Sequence, residues 1–386
     1  MRILKVSDVY FPRVNGVSTS IETFRRDLLA AGHEVMLVAP DYAGAAPAQP
    51  GESTEGVARV AARKVPRDPE DRIMSWRALR RTLSDLGARR IDVVHIHTPF
   101  LAHYAALRFA REFKVPVVAT YHTLFEEYLH HYVPLLPRRF TRPLARRFSR
   151  SQCNELDVVI APSQAMHDAL RAYGVERRIE ILPTGLPQDR FELGDGAAFR
   201  ARQGIDTSRP VLLFVGRAAH EKNIGFLLKM LDVLRRDRPD ILLLIAGEGP
   251  ASADLRAQAA QLKLGDAVRF LGYLERGGEL KDCYRAADIF VFASLTETQG
   301  LVLLEAMAQG VPVVATPRMG TVDILAPLRG CRHAPLTAEG FAATVDDILA
   351  DPRGLKALGI EAQDYALQWA SPRMAQRLAQ LYQTLL

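Results

Sequence analysis

The sequence predicts an α/β protein of two domains, each built on a parallel sheet with helices against it. Three observations predict this. Strand-length apolar runs recur along the chain, and several pass through a glycine-bearing loop into helical periodicity, as Val211-Leu212-Leu213-Phe214-Val215 does before Gly216 and Ile289-Phe290-Val291-Phe292 before Gly300. Runs such as Val35-Met36-Leu37-Val38-Ala39 and Val93-Val94-His95-Ile96-His97 do not alternate, so they read as strands buried on both faces. A length of 386 residues exceeds one ordinary domain and suits two of about 200 each.

Hydrophobic residues make up 48% of the chain and charged residues 24%, the balance of a soluble globular protein. The three cysteines, Cys153, Cys283 and Cys331, show no paired spacing, so no disulfide and a reducing compartment are expected. No apolar run approaches the roughly 20 residues needed to span a bilayer, and the first ten residues read as a strand containing an acid rather than a signal peptide. A cytoplasmic protein is expected. The net charge of +6 is modest, but local arginine-rich stretches make a negatively charged partner plausible.

Met1 to Val6 is a first strand, and Ile21, Phe24, Leu28 and Leu29 mark a helix face after the loop Ser7 to Val17. In that loop Asn15-Gly16 can adopt positive φ and present bare backbone to a phosphate or a sugar, although a plain turn fits as well. Strands follow at Val35–Ala39 and Val93–His97, separated by a Pro, Gly and Ala-rich stretch from Asp41 to Asp71. Another, Val115 to Thr120, ends in Tyr121-His122-Thr123. Ligands of open α/β sheets sit outside the carboxyl ends of strands, where His122 falls, but a satisfied structural histidine is the commoner occupant of such a position. His95 and His97 would share a strand face, yet no nearby carboxylate or cysteine completes a ligand set, so no metal is expected.

Leu124 to Arg150 is unusual in combining Phe125, Tyr128, Tyr132, Phe140 and Phe148 with Arg138, Arg139, Arg142, Arg146, Arg147 and Arg150. A helix starting near Thr141, with Pro143 in its first turn, would place Arg142, Arg146, Arg147 and Arg150 on one arc and Leu144 and Phe148 on the other. Such a surface suits anionic lipid headgroups; an ordinary surface helix packed by its apolar side fits equally. No nucleic-acid-binding fold accompanies it, and no nucleic-acid partner is expected.

Asp157–Ser163 and Ile179–Gly185 read as the last strands of the first domain, and the polar segment Leu186 to Arg209 as a linker. The boundary is placed at 187/188. In the second domain, Arg217 and Lys222 follow the strand Val211–Val215, where two cations could neutralise a diphosphate or simply keep the surface soluble. Ile241–Ala246 and Val268–Leu274 are further strands, and Gly320 lies close enough to the main motif to be structural or to line a donor pocket. That motif is Thr296-Glu297-Thr298-Gln299-Gly300-Leu301-Val302-Leu303-Leu304-Glu305-Ala306-Met307-Ala308, a loop and then a helix that Gly310 stops. The free N–H groups of its first turn make a phosphate site, Gly300 permits close approach, and Glu305, placed about two turns in, could accept hydroxyl hydrogens from a ribose. Spacing alone fits equally well a capping Glu297 and a solvated Glu305. After Trp369-Ala370-Ser371-Pro372 comes a last helix with the stripe Met374, Leu378, Leu381 and Leu385.

Two glutamates seven residues apart around Gly-Leu-Val-Leu-Leu-Glu-Ala-Met resemble the signature of retaining glycosyltransferases of family 4, enzymes of the two-domain GT-B fold. The resemblance extends to Gly16, His122 and the Gly-Arg…Glu-Lys pattern of Arg217 and Lys222. It implies two Rossmann-like domains with a cleft between them: 1–187 with 371–386, crossed by the last helix, on the acceptor side, and 188–370 on the nucleotide-sugar side. It implies further that Glu297 and His122 contact the transferred sugar, that Glu305 binds the ribose, and that the amides of Gly300, Leu301 and Val302 hold phosphate. Arg217 and Lys222 would take the leaving diphosphate, backbone at Tyr273 and Leu274 would meet the base, and Gly16 would lie beside the donor. Many relatives carry two glycines where this chain has Asn15-Gly16. No tightly bound cofactor or metal is implied beyond the nucleotide-sugar donor.

A narrower resemblance lies in Tyr121 to Tyr132 with Phe148 to Asn154, which is similar to diacylglycerol glucosyltransferases. It implies UDP-glucose as donor, a membrane lipid, diacylglycerol, as acceptor, and a cytoplasmic enzyme peripheral on the inner face of the cell membrane. Tyr128, Tyr132 and the arginines from Arg138 to Arg150 would then face lipid. Other family 4 donors (UDP-galactose, UDP-glucuronate, GDP-mannose) or a soluble or polysaccharide acceptor fit the same motifs. A nucleotide-sugar epimerase and an inactive membrane-binding relative are rivals of other classes.

Overall fold

The computed structural model describes residues 1–13, 15–42, 55–65, 68–123, 138–275 and 278–386, with backbone alone at 68–70 and 138–141. The chain divides into two compact units, Met1–Gly185 with Ser371–Leu386, and Leu186–Ala370.

The first unit runs β1 (Arg2–Val6), α1 (Gly16–Ala30), β2 (Glu34–Pro40), β3 (Val57–Val60), β4 (Ala62–Val65), β5 (Asp68–Met74), α2 (Trp76–Gly87), β6 (Val93–Ile96), α3 (Leu101–Phe113), β7 (Val117–Thr120), α4 (Arg138–Cys153), β8 (Val158–Ala161), α5 (Gln164–Ala172) and β9 (Arg178–Ile181). Seven of these strands form a sheet in the order β3-β2-β1-β6-β7-β8-β9, while β4 and β5 pair as an antiparallel hairpin. All pairings within the seven-stranded sheet are parallel, with Leu4 beside Met36 and Val94, and His95 beside Val118. Every residue of β6 and β8 is buried, as expected of strands covered on both faces. Ser75 and Ser163 start α2 and α5 by accepting from the N–H of Ala78 and Met166.

The second unit continues with α6 (Gly196–Arg202), β10 (Val211–Val215), α7 (Ile224–Leu234), β11 (Leu242–Ala246), α8 (Ser252–Gln261), β12 (Val268–Gly272), α9 (Glu279–Arg285), β13 (Ile289–Phe292), α10 (Leu301–Ala308), β14 (Val313–Ala315), α11 (Thr321–Leu325), β15 (Cys331–His333), α12 (Ala338–Ala350) and α13 (Pro352–Ala366). Its sheet has the order β12-β11-β10-β13-β14-β15, all parallel. Strand order reverses beside β10, between β10 and β13, and this is the switch point at which open sheets leave a crevice. The helix α10 is buried on almost every side: Leu303, Leu304, Ala306, Met307 and Ala308 have no exposed surface. Each of the three larger side chains contributes about 1.5–3 kcal/mol by that burial.

The last helix, α14 (Ser371–Gln383), returns to the first unit, where Met374, Leu378 and Leu381 join the core as their spacing predicts. Ala375 and Tyr382 join them, with Leu385 packed at the edge.

Three expectations are corrected here. The segment Leu186 to Arg209 is built into the second unit rather than linking two: Phe199 is wholly buried, and Arg200 donates to the carbonyls of Ala286, Asp206, Thr207 and Arg209 and to the Asp288 carboxylate. Buried Gln309 holds it from the other side, accepting from Gly194 N–H and donating to the carbonyls of Arg190 and Glu192. The helix α4 begins at Arg138 rather than near Thr141, so Pro143 sits inside it. Its buried side is Ala145, Ser149, Gln152 and Cys153, with Phe148 half-buried, while Leu144 is 58% exposed among the arginines. The three cysteines are buried and free.

Candidate active site

In the second unit the loops following β10, β13 and β14 are sewn together by hydrogen bonds to main-chain carbonyls. Leu295 N–H donates to the Glu221 carbonyl at 3.0 Å, the Asn223 side-chain amide to the Ala293 carbonyl at 3.2 Å, and Gly320 N–H to the Glu297 carbonyl at 2.9 Å. Gly320 is tightly packed: a Cβ there would lie 2.1 Å from the Thr298 carbonyl oxygen. The change Gly320→Ala is therefore expected to push the Glu297 loop away and lower the thermal midpoint by several degrees, about 2 kcal/mol, with loss of transfer activity. An unchanged midpoint with unchanged activity would show that the loop has room to give.

Within this frame Lys222 Nζ lies 2.5 Å from Glu297 Oε1, with only 18% and 14% of the two side chains exposed. Glu297 therefore does not cap α10, whose N-cap position, Gly300, makes no side-chain capping bond. Gly300 has φ +93°, a left-handed conformation that a side chain would strain, and an added Cβ would also meet Thr321 Cγ2 at 2.9 Å. The turn leaves the first N–H groups of α10, including those of Leu301 and Val302, without helical acceptors. Glu305 falls just over one turn into the helix rather than two, half-buried, and its Oε2 accepts from the Tyr284 hydroxyl at 2.9 Å. Tyr284 itself is buried. Sequence reasoning missed Tyr284, because its only signal was an unexplained tyrosine at the end of a short helix. If Glu305 binds a ribose, as the resemblance implies, Tyr284→Phe removes one of its orienting bonds and is expected to raise the donor KM about five- to tenfold, about 1 kcal/mol, with kcat little changed. An unaltered KM would separate Tyr284 from donor binding.

Arg217 stands exposed in the same loop as Lys222. At the end of β12, Gly272 has φ +73°, Tyr273 is 58% exposed, and the Leu274 side chain is buried in the core, so at Leu274 only backbone faces outward chemistry.

In the first unit the ends of β1, β6 and β7 converge at the corresponding switch point. Asp8 accepts from the Thr98 hydroxyl at 2.7 Å and from Ala102 N–H, and burial raises its carboxyl to about 6. His95 and His97 share one face, as their spacing predicts, with ring centroids 4.2 Å apart. The two His95 nitrogens are taken by the Tyr382 hydroxyl at 2.5 Å and Thr120 Oγ1 at 2.7 Å, and His97 Nδ1 lies 3.1 Å from His122 Nε2. Burial, with the charge of Lys5 added, holds all three imidazoles neutral, His122 down to about 3. Lys5 is itself buried 5.5 Å over the Phe24 ring, and desolvation lowers its ammonium to about 7. Among the described residues no group of three or more His, Cys, Asp and Glu is arranged to hold a metal ion.

Asn15 and Gly16 do not adopt positive φ. Asn15 is extended, at φ −151°, and its Oδ1 accepts from Ser18 N–H at 2.8 Å, making it the N-cap of α1. Gly16 is exposed, with nothing within 4 Å of an added Cβ. The helix α4 is tied to the loops at this end by Ser149 Oγ to the Tyr121 hydroxyl at 2.7 Å and by Gln152 Nε2 to the Pro99 carbonyl at 2.7 Å. Arg142, Arg146, Arg147 and Arg150 are exposed along it; Arg146 lies over the Tyr173 ring and Arg150 pairs with Glu176. Tyr128 and Tyr132, and the side chains of Arg138 and Arg139, lie outside the described residues.

Residues 14–190 match the family model described as Glycosyltransferase Family 4, and residues 195–365 that of Glycosyl transferases group 1. An alpha-monoglucosyldiacylglycerol synthase of Streptococcus pneumoniae is 33% identical over 82% of this chain and 71% of its own. The chain belongs to glycosyltransferase family 4. It is a glycosyltransferase, and the family is not uniform in what its members are named for. A GDP-mannose-dependent alpha-mannosyltransferase of Mycolicibacterium smegmatis is 31% identical over 100% of this chain and 98% of its own. Among solved structures, a sucrose-phosphate synthase from Thermosynechococcus elongatus superposes with a TM-score of 0.79 at 22% identity, covering 100% of this chain and 99% of that one. Anabaena HepE in complex with UDP-glucose gives 0.77 at 18% identity over the whole of both chains. The fold is GT-B, with two Rossmann-like units. No helix among the described residues is long and apolar enough to cross a membrane.

Proposed function

We propose that this family 4 enzyme is a retaining hexosyltransferase that moves glucose from UDP-glucose to a membrane lipid, diacylglycerol. The observation that supports this reading best is the similarity to the alpha-monoglucosyldiacylglycerol synthase over most of the chain, since the motif geometry is common to many donors. In this reading the diphosphate lies at the mouth of α10, against the N–H groups of Leu301 and Val302, with Lys222 and Arg217 supplying positive charge as the bond to the sugar breaks. Glu305, steadied by Tyr284, accepts from the ribose hydroxyls. Tyr273 and Leu274 meet the base through backbone, Gly16 admits the donor closely, and Glu297 and His122 orient the sugar as its anomeric carbon becomes cation-like. The acceptor hydroxyl attacks from the leaving group's own face and passes its proton to the diphosphate, so configuration is retained with no covalent sugar–enzyme intermediate.

The lipid acceptor draws support from α4, where exposed Leu144 stands among exposed arginines, an apolar residue set in a basic surface that suits an anionic bilayer on the inner face of the cell membrane. Reversing charge with Arg142→Glu, Arg146→Glu and Arg147→Glu together is expected to weaken binding to liposomes containing anionic lipid at least about 100-fold. Binding that stays unchanged would remove the membrane role of this face.

The direct test is mass spectrometry of products after mixing the protein with UDP-glucose and diacylglycerol in micelles containing anionic lipid, beside a Glu305→Ala control. A glucosylated lipid that the control lacks supports the proposal; product from GDP-mannose and none from UDP-glucose would replace it with the second reading, which the mannosyltransferase similarity favours.

A further inference from the structure

A neutral imidazole has one N–H and one bare nitrogen, so a hydrogen bond between two histidines fixes which nitrogen of each is protonated once the donor is known. His97 Nδ1 and His122 Nε2 are 3.1 Å apart, and one must donate to the other. The second nitrogen of His97, Nε2, is buried and has no partner among the described residues. Buried N–H groups left without an acceptor are rarer and costlier than bare acceptors, so the His97 proton belongs on Nδ1, where it is used. His122 Nε2 then accepts, and the His122 proton sits on Nδ1. The ring of His97 is held in plane by His95, which stacks on it and is pinned by Tyr382 and Thr120.

We propose that His97 is a positioning residue that fixes His122 as its Nδ1–H tautomer, so that His122 acts as a hydrogen-bond donor to an oxygen of the transferred sugar. A donor of that polarity selects an oxygen lone pair over a hydroxyl hydrogen. The proposal rests on the reading of His122 as a sugar contact.

Its two parts are tested separately. In the full chain with 15N-labelled histidine, long-range proton–nitrogen correlation reads the tautomer, with the His122 signals assigned by their loss in His122→Gln. Protonation of His122 at Nδ1 supports the proposal, and protonation at Nε2 overturns it whatever the activity. With UDP-glucose and diacylglycerol as probes, His97→Leu is expected to lower kcat about 100-fold, with the donor KM changed far less. His97→Asn keeps an N–H near the Nδ1 position and is expected to recover most of that loss, whereas His97→Gln, whose amide reaches toward Nε2, is not. Equal losses in all three variants would make His97 a packing residue and overturn the proposal. If His122→Gln left transfer unaltered, the sugar contact itself would fail, while the tautomer measurement would still stand on its own result.

Discussion

Lys222→Ala is expected to lower kcat/KM for transfer by about 100- to 1,000-fold, the scale seen when a preorganised charge is removed from a transition state. Two losses combine. The ammonium that would meet charge growing on the departing diphosphate is gone, and the Glu297 carboxylate, 2.5 Å away and only 14% exposed, is left without its cation. The pair is expected to behave as one device, so that Lys222→Ala with Glu297→Ala together costs little more than the worse single change. Because Lys222 ends a short turn whose neighbour Glu221 binds the Leu295 N–H through its carbonyl, the main chain of the loop has its own support, and the thermal midpoint is expected to move by only a few degrees. Activity within threefold of the parent would rule out Lys222 as a charge acting in the reaction. Fully additive losses would mean that the two side chains work separately.

Much of this geometry was legible in the sequence because it depends on local chain: a buried strand, a glycine in a left-handed turn, and a helix begun by Gly300. The fold followed from the same signals, since the inner strands such as Val93–Ile96, Val211–Val215 and Ile289–Phe292 are largely apolar runs and the last two pass through a glycine-bearing loop into a helix. What escaped was tertiary. Glu305 meets Tyr284 from another helix, and His95 meets Tyr382 from a residue 287 positions away, contacts that no spacing rule reports. The segment after Gly185 looked like a linker because its one short α-helix, capped by Asp195, is too brief to show a period, and Arg200 satisfies its carbonyls from within. Leu144 looked inward-facing because the arc was drawn from arginines alone, while small Ala145 and Ser149 do the packing.

Acid is expected to destabilise the first unit steeply. His95, His97, His103 and His122 are all held neutral chiefly by burial, His103 down to about 4 and His122 to about 3, whereas in an unfolded chain each titrates near 6.5. A group with a lowered folded pKa lends stability above its unfolded value and withdraws it as pH falls, because the unfolded state binds the proton that the folded state refuses. Asp8 works in the opposite direction. Burial raises it to about 6, so between its ordinary value of 3.8 and 6 the folded unit holds a proton that the unfolded chain releases. With four imidazoles against one carboxyl, the unfolded chain binds the larger share of protons as pH falls below 6, and each proton bound in excess costs about 1.4 kcal/mol per pH unit. Against an ordinary domain stability of about 5–15 kcal/mol, a loss of several such increments is expected to unfold this unit in acid. Trp76 lies in the first unit and Trp369 in the second, so urea titrations followed by Trp76 fluorescence in a Trp369→Phe background would read this unit alone. The expected result is an unfolding free energy that falls by about 1 kcal/mol from pH 8 to 7, where burial holds Lys5 at about 7 and the unfolded chain keeps its ammonium protonated, and that falls more steeply below 6.5, with the slope there reduced by about one proton in His103→Gln. A free energy that held constant down to pH 5 would mean that the imidazoles already bind protons in the folded state, and the buried histidine stack would then have to open at mild acidity.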